Sequence, residues 1–157
     1  MNDLSKAFNI ASAIAIAGWL PLFTYPLWPQ TARITVLTIV VGLLCILYTF
    51  FAFFARILDE PNARPKGGFS SLAGVVSLFK SPRVVLAGWI HYLAFDLMVG
   101  LFIVTDAARV GIVHWWLLPA LFLTLMFGPV GLLLYLAMRS VMSSAGLSIT
   151  FNWTMIT

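Results

Sequence analysis

GWIHYLAFDLMVGLF, residues 88–102, decides how this chain is read. It is apolar enough for the interior of a membrane, yet it carries His91 and Asp96. The surrounding run, about 84–105, is close to the ~20 residues that cross about 30 Å of hydrocarbon as a helix. At 1.5 Å per residue, His91 lies about 10 Å and Asp96 about 18 Å into that helix, the latter near the bilayer midplane. An aspartate there costs roughly 2.5–3.5 kcal/mol on insertion scales. It should therefore face protein rather than lipid, and an ionisable group at that depth is a functional hypothesis by default.

The whole chain agrees with this solvent. Of its 157 residues, 62% are hydrophobic and 9% charged, and the mean hydropathy is +1.03. A soluble chain of this length has too high a surface-to-volume ratio to hide so much apolar surface. Four apolar segments stand out, at about 8–27, 34–54, 84–105 and 115–138. Four are too few for a barrel, and lipid leaves no backbone group unpaired, so all four are expected to be helices. The predicted fold is an all-α integral membrane domain over 1–139 with four transmembrane helices.

Between the second and third spans, residues 59–82 read DEPNARPKGGFSSLAGVVSLFKSP. Pro61, Pro65, Gly67 and Gly68 break helix early. Ser70 or Ser71 can then cap a short helix, about 70–80, with Leu72, Val75, Val76 and Phe79 on one face. It reads as an interfacial helix within a cytoplasmic loop, the alternative being a solvent-exposed loop. The tail, 140–157, is too short for a fifth span. The first segment lacks the positive n-region of a signal peptide, with Asp3 set against Lys6, and is expected to be a retained helix. Pro129, in Gly128-Pro129-Val130-Gly131, predicts a kink in the fourth span, either a bend alone or the wall of a cavity.

Four crossings would put Lys6, Arg56, Arg64, Lys66, Lys80, Arg83 and Arg139 on one side, and Arg33 and Arg109 on the other. The positive-inside rule then places both termini in the cytoplasm. Trp19, Trp28, Trp115 and Trp116 are expected in an aromatic belt at the other face. Asp106 and Arg109, three residues apart, suggest an interfacial ion pair. Cys45 reads as a small buried apolar residue.

His91 and Asp96 are five residues apart, about 140° around a helix, so a direct bond between them is not expected. Each should meet a different neighbour or flank a shared cavity, with Asn9 and Tyr92 as available partners. A buried carboxyl kept neutral is a candidate acid, and a buried neutral imidazole a candidate base. The plain alternative is that both merely fix helix packing. No glycine-rich phosphate loop and no metal-ligand cluster is present, and His91 and His114 make a poor metal or haem site. No cofactor is expected. The basic residues are scattered, so no nucleic-acid partner is expected either.

The stretches GWIHYLAFDLMVG, DAARVGI and PALFLTLMFGPVGLLLYL, with GFSSLAGVVSLFKSP before them, resemble the membrane proteins related to the plant abscisic-acid-deficient-four protein. The resemblance covers about residues 8–139. Its most specific elements are Trp89, His91 and Asp96, and the FGPVG motif at 127–131. It implies conversion of violaxanthin to neoxanthin, which opens a 5,6-epoxide and leaves an allene without net redox change. That step needs an acid near the epoxide oxygen and a base near the proton lost from the adjacent polyene carbon. Asp96 and His91 are nominated as acid and base from this chemistry, with Trp89, Tyr92, Gly100, Phe127, Pro129 and Gly131 as substrate-binding residues. Without a chloroplast-type transit peptide, a bacterial inner membrane is expected. The expected partner is a lipid-soluble, carotenoid-like substrate or ligand, with a homo-oligomer left open. Competing readings are a non-catalytic lipid or pigment binder, a membrane-complex subunit, and an ion pathway, for which the polar residues are too few.

Overall fold

The computed structural model describes residues 2–55 and 67–144. Arg56, Asp59, Glu60, Pro61, Arg64, Pro65, Lys66 and the tail from 145 lie outside the described residues. All regular structure among the described residues is helical. Helix α1 spans Asn2–Phe23 and α2 spans Pro29–Phe54. A short α3 covers Leu72–Leu78, and α4 runs over Pro82–Val110. Then come α5, Leu118–Phe127, and α6, Pro129–Ser144. Short 3₁₀ turns, Tyr25–Leu27 and His114–Leu117, precede α2 and α5. Three helices, α1, α2 and α4, are long and apolar enough to cross a membrane, while α5 and α6 are shorter.

Local chemistry explains the boundaries. Pro29 and Pro82 open their helices at positions where no N–H is needed. Within α2, the turns at Thr35–Val41 and Phe50–Phe54 are π-helical. Six of the seven residues in the first are β-branched, and a wider turn relieves crowding between such side chains. Ser71 caps α3 by accepting from the Gly74 N–H at 3.1 Å. Leu72, Val76 and Phe79 of this segment remain exposed. Gly111 adopts φ 77°, the left-handed conformation that ends α4, and the Ile112 N–H closes back on the Ala107 carbonyl.

The helices group into two compact units, each described by itself: Met1–Ala17 with Thr38–Phe95, and Gly18–Leu37 with Asp96–Thr157. In the first, Ala11, Ala15, Leu44, Phe51, Leu86 and Ile90 are buried. Arg83, counted above as a topology charge, is buried there too. Its guanidinium donates to the Phe51 carbonyl at 2.5 Å and the Ala52 carbonyl at 3.3 Å. Those carbonyls lie at the C-terminal end of α2, where a cation is favoured. Cys45 is exposed rather than buried, because the buried stripe of α2 passes through Leu44 instead.

In the second unit, the expected fourth span does not run straight. Gly128 leaves helical geometry (φ 18°, ψ −79°) between α5 and α6, and Pro129 brings no N–H to continue the helix. The chain doubles back here. A methyl on Gly131 would collide with the Thr124 side chain and backbone and with the Ala120 carbonyl. In a continuous helix those residues would lie about 10 and 16 Å away. Meanwhile α6 runs parallel to α4, as three pairings show. Gly128 abuts Asp96, Tyr135 meets Phe102 edge-on, and Arg139 meets Asp106. The expected single helix over 115–138 is thus a helical hairpin. The ten residues of α5 rise about 15 Å, half a hydrocarbon core.

Candidate functional site

Asp96 is the midpoint of α4, with fourteen residues on either side. It is 7% exposed. Its carboxylate lies against Gly128 so closely that a Cβ there would collide with Oδ1. Gly128 is itself buried. Non-helical backbone at membrane depth is tolerated only where protein covers it, and α4 provides that cover. Gly128 precedes α6, so the Asp96 side chain sits beside the start of that helix. Thr124, fully buried nearby on α5, donates to the Ala120 carbonyl at 2.8 Å.

The other nominated residues divide. In this unit Gly131 lies where α5 and α6 touch, and Gly100 is a packing contact. A methyl on Gly100 would come within 2.9 Å of Trp19 and Leu22. This docking buries Trp19 to 2% exposure, so it leaves the expected belt, whereas Trp28, Trp115 and Trp116 are exposed. Phe127 and Pro129, beside the hairpin tip, are exposed. In the other unit, Trp89 donates to Ser12 Oγ at 3.0 Å and neighbours Phe8 and Tyr92. His91 is exposed, contrary to the expectation of a buried base. Its ring stacks on Phe95 at 4.3 Å and lies 5.6 Å from Tyr48. Exposure follows because the buried stripe of α4 in this unit runs through Ala87, Ile90 and Ala94 instead.

At the far end of α4 the expected pair is replaced. Asp106 accepts from Tyr135 Oη at 2.6 Å and from Arg139 Nε at 2.5 Å. Arg109 has no ion pair among the described residues. Hairpin folding explains the exchange, because it returns Arg139 to the end of α4 that also bears Arg109. Three of the described helices are long and apolar enough to cross a membrane, so the premise of four crossings, on which both termini shared a side, is not confirmed. Sequence spacing could not reveal this triad, since Asp106 and Arg139 are 33 residues apart.

A half-open cavity of about 790 Å³ lies in the same unit, between the start of α2 and the C-terminal half of α4. None of the nominated residues lines it. Among the described residues, no group of three His, Cys, Asp or Glu could hold a metal ion.

Neither curated proteins nor solved structures give a match to this chain. A family model does, over residues 6–135. That span takes in Asp96, both halves of the hairpin tip, and α6 as far as Tyr135. The chain belongs to the ABA DEFICIENT 4-like family.

Proposed function

We propose that this protein is a membrane-embedded isomerase of a carotenoid or related isoprenoid, opening an epoxide as the neoxanthin-forming reaction does. The observation that carries the reading is Asp96, buried at the midpoint of α4 against the hairpin tip. An acid held in protein at the middle of so apolar a helix is a functional position by hypothesis.

In this reading Asp96 protonates the epoxide oxygen as the carbon–oxygen bond at the polyene side breaks. The oxygen remains as a hydroxyl on the neighbouring ring carbon. A base removes the proton from the adjacent polyene carbon, and that electron pair completes the allene. One proton is given and one taken, so the product has the mass of the substrate. His91 is assigned the base. Its ring is exposed and stacked on Phe95, and the assignment rests on the chemistry the step requires. General acid–base catalysis contributes about 10²–10⁴-fold for each group.

The test is pigment chromatography and mass spectrometry on carotenoid-producing cells that express this chain or Asp96→Asn at matched membrane levels. The reading expects a new isomer of unchanged mass with the wild type only. An inert wild type in hosts spanning several carotenoid classes would overturn it, leaving a pigment-binding protein or complex subunit. Loss of the folded Asp96→Asn protein would make the aspartate a packing residue; Asp96→Glu, which keeps the carboxyl, then reports on the chemistry.

A further inference from the structure

The half-open cavity at the α2–α4 end of the second unit has a chemistry the proposed reaction does not use. Arg33 and Arg109 both line it, and among the described residues no carboxylate does. Both arginines are exposed. Neither has an ion pair among the described residues, because Asp106, the acid nearest Arg109 in sequence, is held by Tyr135 and Arg139. Two guanidiniums therefore face one cavity with no acid on its wall. Tyr25, Gln30 and Thr105 add neutral polar groups beside them. Burial raises the Tyr25 phenol above its ordinary value, and the nearby Arg33 and Arg109 partly offset this.

The rest of the wall is apolar. Leu37, Met98, Leu101 and Phe102 line it. From Arg109 to Met98 is eleven residues of helix, about 16 Å, so the greasy wall runs from the helix end towards its middle. The volume lies within the ~300–1,000 Å³ of small-molecule sites. A purely hydrocarbon ligand would leave two cations facing it, and a small hydrophilic anion would leave the apolar wall bare.

We propose that this cavity binds the phosphate head of an anionic amphiphile between Arg33 and Arg109, with the first segments of its apolar tail along Leu37, Met98, Leu101 and Phe102. Arginine's planar fork suits phosphate oxygens. The phosphate could come from a lipid or from solution, and the apolar wall selects the lipid. The site is independent of the isomerase reading and stands or falls without it.

The test uses the full chain purified in a neutral detergent. Dioleoylphosphatidylglycerol, dioleoylphosphatidylcholine and sodium phosphate are each titrated, followed by native mass spectrometry and thermal melting. The expected result is one saturable phosphatidylglycerol per chain with a raised Tm. Phosphatidylcholine should bind at least fivefold more weakly. Arg33→Gln with Arg109→Gln should weaken phosphatidylglycerol tenfold or more, while the lipid-free Tm stays within about 2 °C of wild type because both side chains are exposed. Equal binding of the two lipids, or binding unaffected by the double substitution, would overturn the proposal. So would a phosphate response matching that of the lipid, which would show that the apolar wall takes no part.

Discussion

At the scale of single residues, Asp96 and Gly128 form one feature. A methyl at Gly128 has no room beside the Asp96 carboxylate. Gly128→Ala should therefore shift the carboxylate or open the hairpin tip, at a cost of about 1–3 kcal/mol. We expect a Tm several degrees below wild type in detergent melting and a loss of pigment conversion approaching that of Asp96→Asn. His91 should behave differently. Exposed and stacked on Phe95, it contributes little packing, so His91→Gln should melt within about 2 °C of wild type. If it is the base, conversion falls by about 10²-fold or more; unchanged conversion would remove it from the mechanism. The sequence expected Asp96 to face protein, because an acid deep in an apolar helix must be accommodated there, and it is buried. It misjudged His91, because an imidazole beside aromatic rings is accommodated without burial.

At the scale of elements, the α5–α6 hairpin is anchored at both ends. Its tip rests on Asp96, and its far end is held by Tyr135 and Arg139 on Asp106. Both donors converge on the same oxygen, Oδ2, so their contributions should be coupled. Tyr135→Phe should destabilise by about 1–3 kcal/mol, and Arg139→Gln should also lower the Tm. The double substitution should cost less than the sum, which a double-mutant cycle in thermal melting would read. Strict additivity would mean that the two donors act separately. The sequence marked these residues only as an assumed Asp106–Arg109 pair, because adjacency on one helix is visible and a contact across 33 residues is not. It did mark Gly128 and Pro129 as a break. It read a kink rather than a reversal, since a lost backbone bond fixes where a helix stops and not the direction of the next one.

At the scale of the molecule, composition and the apolar runs gave an all-helical chain with membrane-compatible helices, and three of the long ones are present. Hydropathy cannot distinguish 24 apolar residues that cross a bilayer from 24 that enter and return, because both present the same side chains to lipid. The distinction lies in contacts such as that of Gly131 with Thr124. It decides where Asp96 finds its cover, so the account turns on it. The most direct measurement is side-specific thiol labelling in intact and opened membrane vesicles. Gln30→Cys, Val113→Cys and Ser140→Cys are each made in a Cys45→Ser background and checked for wild-type membrane levels. The hairpin places all three positions on one side, so all three should react with a membrane-impermeant maleimide from the same face. Labelling of Ser140→Cys from the face opposite to Gln30→Cys and Val113→Cys would mean that 115–138 crosses as a single helix. It would contradict the seat assigned to Asp96.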